Sequence, residues 1–226
     1  MRILDILFPK RCVGCGRIGK YICDRCAATI RRIDASICPM CEKPAIDGFT
    51  HPRCRTRYAL DGLTSFFRYD GVVKKAVKTI KYRFVSDLAG AFVNLTSQVQ
   101  LEVLTSRLPA GIILLPVPLH AERLRYRGFN QAESLGAILA ARLNIPIKTD
   151  ILRRVAKTVP QVQMISREER LRNMEHVFEA TRQKAEENTD VVLFDDVFTT
   201  GATMRSAANT LKRCGVKKIW AVTMAR

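Results

Sequence analysis

Four apolar residues, Val191-Val192-Leu193-Phe194, run directly into Asp195-Asp196-Val197-Phe198 and then into Thr199-Thr200-Gly201-Ala202-Thr203. This order constrains the fold more than any other part of the chain. An uninterrupted apolar run suits a strand buried on both faces, and such strands belong to parallel sheets covered by helices. In open α/β sheets ligands bind beyond the carboxyl ends of the strands, which is where this turn falls. Residues 204–212 favour a helix. The turn therefore offers hydroxyls and free backbone N–H groups at a helix N-terminus, a place suited to phosphate through hydrogen bonds and the positive end of the helix dipole. Asp195 and Asp196 stand just before it, within reach of the hydroxyls of a pentose whose 5′-phosphate lies in the turn.

The rest of the C-terminal part alternates in the same way. Strands are expected at 63–69, 112–116, 145–151 (interrupted by Pro146), 191–194 and 218–224. Helices are expected at 72–82, 86–104 and 131–143, with a polar helix at 166–174 carrying Arg167, Arg170 and Arg172. In the first helix Val72, Val73, Ala76, Val77 and Ile80 share one face, and Lys74, Lys75, Lys78 and Lys81 lie on the others. Val117-Pro118-Leu119-His120 reads as a loop, and Arg123 to Gln131 as a mobile anion-binding loop rich in arginine, glycine and amides. The fold class is α/β, a doubly wound and mainly parallel sheet.

The head of the chain is different. Seven of the eight cysteines fall in the first 54 residues, as Cys12-x2-Cys15, Cys23-x2-Cys26, Cys38-x2-Cys41 and His51-x2-Cys54. Four pairs supply ligands for two tetrahedral zinc ions, each shell being four sulfurs, or three sulfurs and an imidazole nitrogen. Sequential pairing assigns Cys12, Cys15, Cys23 and Cys26 to one ion and Cys38, Cys41, His51 and Cys54 to the other; the spacing leaves an interleaved pairing open. A disulfide framework fits less well, since no secretion signal precedes these cysteines. So short a segment has little core of its own, and its folding energy is expected to come from the metal. Cys214 stands alone and is expected in the core. The composition shifts near Tyr58, which sets the expected domains at 1–58 and 59–226.

Composition narrows the partners. The net charge is +17 and the pI about 10.0. Such a balance points to a polyanion, either nucleic acid or an anionic membrane surface. Arg31, Arg32, Arg53, Arg55 and Arg57 in or beside the cysteine module, Arg153, Arg154 and the lysine-rich helix are the candidate contacts. Aromatic residues make up 7%, which argues against a broad base-stacking platform. No apolar run reaches the roughly 18 residues that span a bilayer, and the N-terminal lead-in is too short and interrupted for a signal peptide. The expected location is cytoplasmic, with any membrane association peripheral.

The segment 191–203 resembles the phosphoribosyl-pyrophosphate (PRPP) loop of type I phosphoribosyltransferases, with Phe198 where a small aliphatic residue is usual. Pro116-Val117-Pro118-Leu119, Arg123, and Arg127-Gly128-Phe129-Asn130-Gln131 extend the likeness. Together with the cysteine-rich head and a downstream Gln161, Arg170, Asn173 pattern, they resemble the ComF-type competence proteins, in the same order and over essentially the whole chain.

That resemblance implies a type I phosphoribosyltransferase-like domain behind a double zinc-ribbon-like module, in a protein that handles single-stranded DNA during natural transformation. The implied partners are single-stranded DNA, PRPP or a related ligand, and DNA-uptake machinery at the inner membrane. Asp195 and Asp196 would bind the ribose hydroxyls. Thr199, Thr200, Gly201, Ala202 and Thr203 would hold the 5′-phosphate. Val117, Pro118 and Leu119 would border the pyrophosphate, with Arg123 or Arg127 neutralising it and Mg2+ entering with the ligand. Two residues follow Met224, so any hood over the acceptor is expected from the stretch between Tyr58 and Phe84 or from the zinc module. An active phosphoribosyltransferase of nucleotide salvage or a related pathway is the alternative, and a PRPP-sensing regulator bound to structured nucleic acid a further one. An amidotransferase of the N-terminal cysteine type does not fit, as position 2 is arginine.

Overall fold

The computed structural model describes residues 9–82, 86–156, 177–181 and 189–226. The helix expected at 166–174, the Gln161, Arg170 and Asn173 pattern, and most of the N-terminal lead-in lie outside them.

The central sheet has four parallel strands, β1 (Gly62–Phe67), β2 (Ile113–Pro116), β5 (Asp190–Val197) and β6 (Lys218–Ala225), in the order β1-β6-β5-β2. Every pair is parallel, so every connection between these strands is a crossover. β3 (Leu152–Arg154) and β4 (Phe178–Ala180) make a separate antiparallel ribbon. The helices are α1 (Asp24–Ala27), α2 (Gly71–Tyr82), α3 (Ser86–Val93), α4 (Gln98–Thr105), α5 (Ala121–Arg127), α6 (Gln131–Leu143) and α7 (Ala202–Arg213).

The apolar run in β5 serves two cores, as a strand covered on both faces must. Val192 and Phe194 join α2, α3, α4 and α6 on one face; Val191 and Leu193 join α7 and the β3–β4 ribbon on the other. Each fully buried Leu or Phe here contributes about 1.5–3 kcal/mol. Gly136 lets α6 sit tightly on the sheet, since a Cβ there would stand 3.1 Å from both Leu114 and Phe194.

Three expectations need correction. The single helix expected at 86–104 is two, α3 and α4. Ser97 starts the second with a capping box in which Ser97 Oγ accepts from the Gln100 N–H and Gln100 Oε1 accepts from the Ser97 N–H, so local capping outweighs the continuous apolar spacing. The strand expected at 145–151 is reduced to a parallel bridge of Ile147 beside Leu114, and the regular strand begins at Leu152. Pro146 has no N–H to give a ladder but still accepts through its carbonyl from Leu114 N. The arginines at 123, 125 and 127 lie on α5, ended by Gly128 in the left-handed region at φ 76°, and not in an irregular loop.

Among the described residues no helix is long and apolar enough to cross a membrane.

Candidate functional site

The carboxyl ends of the adjacent strands β2 and β5 open into one cleft of about 250 Å³. β2 continues into Val117, Pro118 and Leu119, which form one side. β5 extends further than its apolar run, through Asp195 and Asp196 to Val197, and all three line the cleft. Thr199 and Thr203 line it from the turn, and Arg123 and Arg127 from α5, one helical turn apart on a shared face. Thr200, Gly201 and Ala202 complete the turn between them.

The turn leaves a helix N-terminus open. Gly201 is the N-cap of α7, with no side-chain cap bond to occupy the helix end. Its φ of +67° favours glycine, and a Cβ would meet the Phe198 ring at 2.4 Å. Phe198 is buried beneath it, so the aromatic ring that departs from the usual motif is the floor of the turn.

The acids are unequal. Asp196 is buried and ion-paired to Lys81 Nζ at 2.7 Å, while its backbone N–H donates to Asp195 Oδ1 at 2.8 Å. Asp195 is pushed well above the usual carboxylate range by burial first and then by the Asp196 charge, with Lys81 acting against both. Opposite the acids, burial and then the Arg123 charge hold the Arg154 guanidinium below its ordinary value, and Asp195 opposes that shift. Two guanidinium groups held close together form a ready counter-charge for a phosphate or pyrophosphate.

Lys81, Tyr69 and Arg154 line the cleft from outside the motifs, and Gln131 lines it from the end of the Arg127–Gln131 motif. Lys81 and Tyr69 come from the stretch between Tyr58 and Phe84, so α2 supplies a wall of the site. Asn130 acts from behind. Its Nδ2 donates to the Val117 carbonyl at 3.1 Å, and its Oδ1 accepts from Ala132 N at 3.1 Å. One buried amide thus ties the β2 loop to the start of α6. Its place in the Arg127–Gln131 motif was the available signal.

The cysteine module forms two clusters, Cys12, Cys15, Cys23 and Cys26, and Cys38, Cys41, His51 and Cys54, with the ligand atoms of each all within 4.8 Å of one another. This is the sequential pairing. Antiparallel bridges Arg11–Ile18 and Ile37–Pro44 close the two knuckles. The donor sets fit zinc. In the first, burial opposes ionisation of Cys12, yet backbone N–H groups of Cys23, Cys15 and Gly14 bring it down to about 6. Cys26 is pushed up to about 12 by burial and by its three thiol neighbours. Thiols crowded in this way need a cation to ionise together. In the second, His51 Nε2 donates to the Pro44 carbonyl at 3.0 Å, which leaves Nδ1, 3.3 Å from Cys41 Sγ, as the ligating atom. Cys214 is partly buried, with Sγ near the Ala180 carbonyl.

Fold and site together define a phosphoribosyltransferase-type α/β domain joined to a double zinc ribbon. Residues 3–55 match the double zinc ribbon domain family, and residues 130–226 match the phosphoribosyl transferase domain family. The DNA utilization protein YhgH of Salmonella typhimurium is 31% identical over 208 residues, spanning 88% of this chain and 87% of that protein. Competence protein ComFC of Bacillus subtilis is 29% identical over 205 residues, spanning 86% and 79%. Competence protein F of Haemophilus influenzae is 37% identical over 121 residues, spanning 53% and 52%. The chain belongs to the ComF family of competence and DNA-utilisation proteins. Among solved structures, glutamine PRPP amidotransferase from B. subtilis aligns at 19% identity and a TM-score of 0.39, over 61% of this chain and 26% of that one. Adenine phosphoribosyltransferase from Leishmania tarentolae aligns at 13% identity and 0.38, over 68% and 74%.

Proposed function

We propose that this protein binds single-stranded DNA and a PRPP-type ligand during DNA uptake and use. The observation that carries the ligand reading is the cleft at the ends of β2 and β5, where a carboxylate pair, an uncapped helix N-terminus and several cationic side chains face one small volume. Few ligands other than a phosphorylated pentose need all three. Asp195 and Asp196 take the ribose hydroxyls. Thr199, Thr200, Gly201, Ala202 and Thr203 hold the 5′-phosphate. Val117, Pro118 and Leu119 border the pyrophosphate, and Arg123 and Arg127 offset its charge. Mg2+ bound with the ligand would be held largely by ligand oxygens and water, and would neutralise the pyrophosphate as a leaving group.

The DNA reading rests on family membership and on the charge of +17. The eight residues of the two clusters are assigned as ligands of two structural zinc ions. We assign residues 1–58 to the zinc module and 59–226 to the phosphoribosyltransferase-like domain, in a protein working at the cytoplasmic face of the inner membrane.

The second reading is an active phosphoribosyltransferase, favoured by the open cleft with its acid pair in place. The bond from the anomeric carbon to pyrophosphate would break as a bond to the acceptor forms, with the acceptor supplying the electron pair and losing its proton. Asp195 and Asp196 would stabilise the positive charge on the sugar.

Anisotropy of a labelled single-stranded oligonucleotide across a salt series, with and without Mg2+ and PRPP, tests the first reading. Binding that weakens with salt supports DNA handling. A change on adding PRPP shows that the two ligands are coupled. No binding at low salt overturns the DNA reading, and pyrophosphate release in an acceptor screen would establish the second.

A further inference from the structure

Arg127 faces two ways. It lines the cleft and donates from Nη1 to Gln131 Oε1 at 2.9 Å. Its guanidinium also lies over the Tyr82 ring, 5.7 Å from the centroid. Tyr82 is 71% exposed, and Tyr126, the residue before Arg127 on α5, is 85% exposed. Tyrosine normally keeps its ring at least partly covered. Here two rings from different helices are left in water, Tyr82 against the cleft-lining Arg127 and Tyr126 beside that arginine in the chain.

The rest of α2 explains what leads to them. Val73, Ala76, Val77 and Ile80 are buried. Lys75 Nζ is engaged with the Gly14 carbonyl, and Lys81 with Asp196. Lys74, Lys78 and Tyr82 are exposed at successive i, i+4 positions. They form one stripe about 12 Å long at 1.5 Å per residue. The stripe ends at the Tyr82–Arg127 contact, which joins it to α5, where Arg123, Arg125 and Tyr126 are exposed.

We propose that this rim is where single-stranded DNA is seated, its phosphates along Lys74 and Lys78 and its bases stacked on Tyr82 and Tyr126. The inference rests on the single-stranded DNA reading above and adds the place and the mode of contact. Exposed rings, one of them against a guanidinium, suit bases with a free face, which an unpaired strand has and a duplex interior does not offer. An anionic lipid surface would use the lysines without requiring the rings. Two rings take one base each, which a chain with 7% aromatic residues can supply.

The test uses the full zinc-loaded chain, a labelled single strand, an abasic strand of equal length, and phosphatidylglycerol vesicles. The base-bearing strand is expected to bind more tightly than the abasic one. Tyr82→Ala and Tyr126→Ala should each weaken the base-bearing strand about fivefold or more. They should leave the abasic affinity, the salt slope, the zinc content and the unfolding temperature unchanged, while Tyr→Phe retains binding. Lys74→Gln with Lys78→Gln should weaken both strands and flatten the salt dependence. Equal wild-type affinity for the two strands, or base-bearing affinity indifferent to both Tyr→Ala changes, overturns the rim proposal and leaves the DNA reading standing. Wild-type protein that binds neither strand at low salt removes the DNA reading and the rim with it. Losses confined to vesicles in the Lys74→Gln, Lys78→Gln protein, with both strands bound as by the wild type, overturn the rim proposal and make the rim a membrane face instead.

Discussion

Arg205 Nε donates to the carbonyl of Pro39 at 2.7 Å, and Arg205 Nη2 reaches Glu42 Oε1 at 2.9 Å. Pro39 and Glu42 belong to the second cysteine knuckle; Arg205 belongs to the first turn of α7, and its N–H bonds the Gly201 carbonyl. The second knuckle therefore braces the helix that presents the phosphate-type turn. The first knuckle braces α2 through Lys75 and the Gly14 carbonyl, and α2 carries Lys81. Each cluster supports a different wall of the cleft.

Replacing Arg205 with Met should cost about 1 kcal/mol and lower the unfolding temperature by about 2–4 °C. The zinc content should not change. Calorimetric titration with PRPP should show affinity reduced a few-fold. Unaltered affinity alongside the lower unfolding temperature would mean that the brace serves stability alone.

Freshly purified protein should carry two zinc ions per chain, and a strong chelator should remove them with loss of structure in the cysteine module. Little apolar core would remain there to hold it. Metal analysis together with hydrogen exchange reads both effects. Protein free of zinc, or exchange unaltered after chelation, would sink the assignment of structural metal.

Asp195 binds its proton more tightly in the folded chain than in the unfolded one. Its contribution to stability is full below the unfolded carboxylate range, near pH 4, and falls as pH rises toward the higher folded value. Asp195→Asn should abolish that fall. At neutral pH the variant should melt at or above the wild-type temperature while losing affinity for PRPP. The pH dependence of thermal unfolding, compared between the two proteins, decides it; parallel profiles would falsify the raised Asp195.

Gly201→Ala should destabilise by about 1–3 kcal/mol, because it adds a side chain at positive φ and drives a Cβ into the Phe198 ring. Adding Phe198→Leu should recover the part due to the clash and leave the part due to φ. Denaturant midpoints of the single and double variants separate the two. With Phe198→Leu alone as the reference for the lost ring, strict additivity of the two changes would show that the backbone alone carries the cost of Gly201→Ala.

Much of the site was legible because it is local. Cys-x2-Cys pairs close on one ion through a short turn, so the eight candidate ligands could be read from spacing, while the choice between sequential and interleaved pairing was made only by the folded module. An apolar run, two acids and a hydroxyl-rich turn place carboxylates and a helix N-terminus together at a strand end whatever surrounds them. The break at Ser97 was also written locally, in Ser97 and Gln100, but continuous apolar spacing on both sides obscured it. Asn130 stood in a quoted motif, yet its two bonds depend on a loop that arrives from β2.

The lysines of α2 mark the boundary between the two kinds of information. Lys74, Lys75, Lys78 and Lys81 follow from the sequence as the basic faces of an amphipathic helix, since a period of 3.6 residues separates them from the apolar stripe. Nothing in that period distinguishes one from another. Only the packing of α2 between the first knuckle and the sheet turns Lys81 toward Asp196, gives Lys75 to the Gly14 carbonyl, and leaves Lys74 and Lys78 in water. Local spacing determined the chemistry available to this chain. Burial against distant elements decided which charge is paired, because the partners come together only when the sheet forms.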